Sequence, residues 1–172
     1  MKRRTSLWSL LAAATVAASA LLPALAQAQD FPNKPIKFIV PFPPGSGTDT
    51  SARYFGRKLT ELTGQPVVVE NKPGANGFIA VKAALAAPAD GYTVFVGSNS
   101  TLAVNVALFK QLPYDPQVDF APLSMMMRAP AVVVVPAQSP YKNLGELIAA
   151  AKVKPGKLNH GGGSAGYHLM NE

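Results

Sequence analysis

The chain has 172 residues, 16 Lys plus Arg against 9 Asp plus Glu, and 48% hydrophobic residues, the size of one globular domain or a little more. This composition excludes a disordered chain and a multi-span membrane protein, and the absence of cysteine excludes a disulfide framework, a thiolate metal site and a cysteine nucleophile. The formal +7 includes Lys2, Arg3 and Arg4; without them 13 against 9 leaves +4, and nucleic-acid binding is not indicated.

Lys2-Arg3-Arg4 precedes an apolar stretch from Leu7 to Leu22, then Pro23 and the small-residue pattern Ala26-Gln27-Ala28. This is the form of a secretory signal, with cleavage expected after Ala28 and a periplasmic mature chain. Arg3-Arg4-Thr5-Ser6-Leu7 also has a twin-arginine look. A membrane anchor is the competing reading, but it wants about 20 apolar residues, and Pro23 with the Ala-x-Ala site favours cleavage. Residues 1–28 are therefore expected to be a signal peptide, which leaves 144 of the 172 residues to form a core.

Ile36-Lys37-Phe38-Ile39-Val40, enclosed by prolines, predicts a strand buried on most of its surface. Beyond the loop Pro43 to Asp49, the positions Ala52, Phe55, Leu59 and Leu62 set out the apolar face of a helix stopped at Gly64. Val67 to Glu70 predicts a second strand, Phe78 to Ala87 a helix, and Tyr92 to Val96 a third strand opening onto Gly97-Ser98-Asn99-Ser100-Thr101 and a further helical segment through Phe109. This alternation implies an α/β fold with a parallel sheet flanked by helices. Val132 to Val135 predicts a buried strand, with a lobe boundary near Pro130. Asn143 with Glu146 predicts a capping box for a helix from Leu144 to Val153. After the glycine loop Gly161 to Gly166 a last helix begins at Tyr167, and the chain stops one turn into it, as expected of a fragment.

Three loops share one design: Gly45-Ser46-Gly47-Thr48-Asp49, Gly97 to Thr101, and Gly163-Ser164-Ala165-Gly166 each follow a strand and lead into a helix. Helix N-termini carry free N–H groups and partial positive charge, so they bind anions without a basic side chain. In an open parallel sheet the C-terminal strand ends face one crevice, where the three loops can converge on one ligand. Ordinary turn and cap chemistry uses the same residues, and Asp49 fits either a cap or a ligand contact.

Other chemistries fit less well. Gly161 to Gly166 satisfies G-x-G-x-x-G but lacks the acidic residue about 20 positions on that a dinucleotide site uses, so no cofactor is expected. Ser46, Ser98 and Ser164 with His160 and His168 leave an exported serine hydrolase as the alternative function, although none of the serines sits in G-x-S-x-G. Two histidines eight apart without a carboxylate cluster make no metal site. Met125-Met126-Met127 reads as adaptable packing.

Taken in order, Pro41-Phe42-Pro43-Pro44-Gly45-Ser46-Gly47-Thr48-Asp49 with Arg53, Val67-Val68-Val69-Glu70-Asn71-Lys72-Pro73-Gly74-Ala75-Asn76-Gly77, Asp90-Gly91-Tyr92-Thr93, Leu112-Pro113-Tyr114-Asp115-Pro116 and Asp119-Phe120-Ala121-Pro122 resemble the Bug (TctC-type) family, extracytoplasmic receptors of tripartite tricarboxylate transport systems. The resemblance implies a two-lobed periplasmic binding protein, type II-like and monomeric, that closes on a small organic carboxylate and delivers it to membrane transporter subunits without catalysis. Residues 29–129 then form lobe one and 130–172 begin a truncated lobe two, because the family continues for roughly as much chain again. Carried over by position, the carboxylate lies against Pro44, Gly45, Gly47, Thr48 and Asp49, faced by Ser164, Ala165, Gly166 and His168. Asn76, Ser98 and Asn99 would meet the distal part of the ligand. Asn159-His160-Gly161-Gly162-Gly163 departs from the more usual aromatic and small residues at that loop. A product that truly ends at Glu172 would be a non-functional remnant.

Overall fold

Three parallel strands in the order β2-β1-β3 make the sheet: β1 (Ile36–Val40), β2 (Val67–Asn71) and β3 (Thr93–Phe95). In register, Ile36 lies opposite Val67 and Val40 opposite Asn71 on one side, and Phe38 opposite Val94 on the other. The computed structural model describes residues 30–170, with the backbone alone for His168, Leu169 and Met170; the expected signal peptide, residues 1–28, lies outside the described residues. The chain divides into two units between Asn33 and Lys34, and every described element belongs to the second.

The central strand is sandwiched, which is why it reads as a nearly continuous apolar run. Successive side chains point to opposite faces. Ile36, Phe38 and Val40 therefore share one face, where they form the core with Ala52 and Val96. Ile39 takes the other face, and Ala80 and Val81 are buried with it. Lys37, the one exposed residue of β1, reaches over the strand edge to Glu70 at 2.8 Å.

Helix α1 (Gly47–Thr63) connects β1 to β2, and α2 (Phe78–Leu85) connects β2 to β3. The first crossover moves outward from β1 and the second returns past it. With right-handed connections the two helices cover opposite faces of the sheet. α1 starts at Ser46, whose hydroxyl accepts the Asp49 N–H at 3.2 Å, and stops at Gly64, which lies in the left-handed region with φ 72°.

The buried face of α1 differs from the expected one. Asp49, Ala52 and Gly56 are buried, whereas Phe55 is 39% and Leu62 83% exposed. Small residues form the seam because the helix lies close on β2: a methyl group added at Gly56 would stand 3.0 Å from the Val67 side chain. Of the expected face, Ala52 and Leu59 do meet the core.

A wide π-type turn, Ser100–Val104, continues into the short helix α3 (Asn105–Leu108). Beyond it, Tyr114 and Phe120 dock on an aromatic cluster: Phe78 packs edge-on against Phe109 and Tyr114, and Phe95 stacks on Phe120 at 5.1 Å. Met126 packs against the core, as adaptable filling.

The strand expected at Val132 to Val135 does not form among the described residues. These four valines are 41–83% exposed and belong to no ladder. A strand exists only with a partner for its N–H and C=O groups, and the described sheet offers none to this segment. Helix α4 (Leu144–Val153) does form, and Asn143 and Glu146 cap it as expected: Asn143 Oδ1 accepts the Glu146 N–H at 3.0 Å and the Glu146 carboxylate accepts the Lys142 N–H at 2.7 Å. It buries no residue. α5 (Ala165–Met170) is the last element.

The seam assignment makes a stability prediction. Gly56→Val should destabilise by about 1–3 kcal/mol, because overpacking against Val67 must push the helix off the sheet. Leu62→Gln should change stability by less than about 0.5 kcal/mol. Urea unfolding of both variants checks this; a larger loss for Leu62→Gln than for Gly56→Val would restore the Phe55/Leu62 face.

Candidate functional site

The site begins with how the sheet ends. The order in which strands are added reverses at β1, leaving a crevice at the C-terminal ends of the strands, the place where open α/β sheets bind ligands. Into that crevice come the loop after β1, the loop after β2, the turn after β3 and the loop before α5.

Asp49 organises the first of these. The residue is 3% exposed, and both carboxylate oxygens are occupied. Oδ2 accepts the Gly45 N–H at 2.8 Å and the Arg53 Nε–H at 3.1 Å; Oδ1 accepts Asn71 Nδ2–H at 2.8 Å and pairs with the Arg53 guanidinium at 3.0 Å. Asn71, at the end of β2, also donates to the Phe42 carbonyl at 3.0 Å and accepts from Arg53 at 2.9 Å. The Arg53 hydrogen bond holds the Asp49 carboxyl well below its ordinary value, from 3.8 to about 2, against the opposing effect of burial and with help from the Gly45 N–H and Asn71.

This network decides which N–H groups at the start of α1 stay free. Gly45 donates to Asp49, Ser46 to the Pro43 carbonyl and Asp49 to the Ser46 hydroxyl. Gly47 and Thr48 keep the N–H groups that a helix start cannot satisfy internally. Met127 lies beside this turn, its methyl near Gly47 and its sulfur accepting from Ser51 Oγ at 2.6 Å.

In the second loop, the Ser98 N–H donates to Thr101 Oγ1 at 2.9 Å and Asn99 Oδ1 accepts the Ser100 N–H at 2.9 Å, so the polar groups of both predicted residues serve local caps. Ser100, not singled out by sequence, is the one that turns inward: it is buried, and its hydroxyl accepts the Gly166 N–H from the third loop at 3.2 Å. Gly166 lies so close that a methyl group there would stand 2.9 Å from Asn99 Nδ2. The third loop is thus seated directly on the second.

Together these segments line a cavity of about 180 Å³, walled by Pro41 to Pro43, Pro73 and Gly74, Asn76 and Gly77, Ser100, and Gly163 to Ala165. Of the predicted residues, Asn76, Ser164 and Ala165 line it and Gly166 buttresses it. Pro44, Gly45, Gly47, Thr48 and Asp49 lie farther along the first loop, outside its walls, as do Ser98 and Asn99. The His168 side chain is outside the described structure. The described lining offers backbone groups, two hydroxyls and one amide, groups that can hold a ligand by hydrogen bonds, and no ionisable side chain. Among the described residues no group of three or more His, Asp or Glu could hold a metal ion. A second cavity, of about 240 Å³, runs along the α1–β2 edge beside Arg53 and Arg57, away from the strand ends.

Comparison with known proteins follows the same lines. Residues 51–172 match the model of the tripartite tricarboxylate transporter family receptor. The chain is 41% identical over 160 residues to the protein BugT of Bordetella pertussis, covering 90% of this chain and 48% of that protein. It is 40% identical over 129 residues to a protein of the tcbD-tcbE intergenic region of a Pseudomonas species, covering 75% and 38%. Among solved structures, the R. palustris protein Rpa4515 with adipate matches at 34% identity and TM-score 0.75, over 80% of this chain and 46% of that one. MatC of Rhodopseudomonas palustris with bound malate matches at 35% and 0.66, over 71% and 42%. The chain spans under half the length of these relatives.

The Asp49 network makes a pH prediction. A carboxyl whose folded pKa lies below its unfolded one stabilises the fold above about pH 4, and that contribution disappears as pH falls from about 4 to about 2. Asp49→Asn should therefore cost about 1–3 kcal/mol at pH 7, and the gap to the wild-type protein should narrow over that window. Parallel pH–stability curves for the two proteins would show that Asp49 contributes nothing through its charge.

Proposed function

Since the chain belongs to the tripartite tricarboxylate transporter receptor family, we propose that it captures a small organic carboxylate in the periplasm and hands it to the membrane subunits of such a transporter. The observation that carries this reading is the cavity at the strand ends, where the described lining brings together backbone groups, two hydroxyls and one amide with no ionisable side chain. Such a lining suits an anion that must be held and released unchanged. Gly47 and Thr48, outside the cavity walls, would add N–H donors from the start of α1. The adipate and malate in the neighbouring structures support a dicarboxylate as the ligand class.

On this reading residues 1–28 are the cleaved export signal, 29–129 lobe one and 130–172 the start of lobe two. The contact residues are Gly47, Thr48, Ser164, Ala165 and His168 around one carboxylate, with Asn76 reaching the distal group. Pro44, Gly45 and Asp49 support the first loop, and Ser98, Asn99 and Gly166 the second and third. Of the three serines of the hydrolase alternative, Ser46 Oγ is engaged as a cap and Ser98 Oγ faces Thr101, whereas Ser164 lines the cavity; loss of ester turnover in Ser164→Ala would favour that alternative. No helix of the described residues is long and apolar enough to cross a membrane.

A thermal-shift panel of malate, adipate, citrate and benzoate, with adipamide as the uncharged control, tests the proposal. At a hundredfold excess over Kd a true ligand should raise Tm by roughly 5–10 °C. No shift with any acid, or an equal shift with adipamide, would sink the carboxylate reading.

A further inference from the structure

Asn105 is fully buried, yet its position in α3 follows from no apolar pattern. Its Nδ2 donates twice, to the Asn76 carbonyl at 3.0 Å and to the Tyr114 hydroxyl at 3.2 Å; that hydroxyl in turn donates to the Thr101 carbonyl. Tyr114 is itself 6% exposed, and Thr101 is 1% exposed. Asn105 Oδ1 has no protein partner, so this polar side chain is kept in the interior for what its NH₂ group does.

What the NH₂ group holds is an unusual piece of backbone. Ala75 and Asn76 both lie in the left-handed region, at φ 46° and 53°. Two consecutive non-glycine residues there persist only where their surroundings fix them. Gly77 follows at φ 89°, and its Cα faces the Thr101 methyl so closely that no side chain fits. The segment Ala75–Gly77 is thus clamped from below, by Asn105 at its carbonyl and by Thr101 at its glycine. Asn76 lines the cavity, and its side chain makes no hydrogen bond among the described residues.

We propose that Asn105 is a positioning residue for the ligand site: through its bond to the Asn76 carbonyl, with Tyr114 fixing its own amide, it holds Asn76 in the left-handed turn that presents the Asn76 side chain to the cavity. The proposal rests on the receptor reading for its ligand but not for its geometry. The same Tyr114–Thr101 link ties this clamp to the turn that carries Ser100, so two walls of the cavity share one buried support.

Two measurements on the protein test it, with Asn105→Leu and the milder Tyr114→Phe as variants. In hydrogen exchange of the ligand-free protein, the Gly77 N–H, bonded to the Gly74 carbonyl at 2.9 Å, should exchange about tenfold faster in both variants while the β1 amides keep their protection. In calorimetric titration with malate, Asn105→Leu should weaken binding about tenfold, but by less than about twofold in an Asn76→Gly background, where no side chain remains to be positioned. Unchanged exchange at Gly77 would overturn the clamp. An equal loss of malate affinity in both backgrounds would show that Asn105 acts on the site by another route. If the wild-type protein binds neither malate nor the other acids of the panel, the receptor reading fails, and the exchange result alone decides whether the clamp exists.

Discussion

A buried carboxylate with four donors around it ties the ligand-facing end of this molecule together. Asp49 draws in the Gly45 N–H from the loop after β1, Arg53 from the next turn of its own helix, and Asn71 from the end of β2. Burying a charge is costly unless it is paired and hydrogen-bonded, and here every oxygen is. The consequence reaches beyond stability. Because Asp49 takes the Gly45 N–H, the first loop is drawn back against its own helix, and Gly47 and Thr48 are left as the free donors at the helix start.

The close packing of α1 serves the same end. Ala52 and Gly56 let the helix lie directly on β1 and β2, and that approach brings Asp49 within reach of Asn71. A seam of larger side chains would lift the helix and separate the pair. The exposed Phe55 and Leu62 are thus what remains when the contact face is chosen by backbone proximity instead of by side-chain volume. On the opposite side of the crevice, Gly166 applies the same device, its missing side chain allowing the third loop to sit on Asn99 and Ser100.

The described structure is uneven in a way that physical reasons explain. From β1 to Phe120 the chain is held by a sheet, two covering helices and an aromatic cluster. From Leu123 to Val153 it consists of well-formed local pieces with little buried surface, of which α4 and its caps are the clearest. Capping and helix propensity act within a few residues and need no partner. A strand such as Val132 to Val135 needs one, and strong β-propensity alone leaves it extended and exposed.

The sequence by itself determined the local elements and the architecture class. Alternation fixed the strand and helix order, Gly64 fixed the end of α1, Asn143 and Glu146 the start of α4, and five ordered motifs the family. These signals are legible because each depends on residues close in the chain. Tertiary structure alone decided that Asp49 faces inward to Asn71, 22 positions away, that Ser100 and not Ser98 meets the third loop, 66 positions on, and that Asn105 and Tyr114 stand beneath Asn76. A polar residue carries no mark of the distant group it will meet. Its partner is set by where the sheet and helices bring the chain back, and the small residues that allow such approaches contribute almost nothing to a hydrophobic pattern.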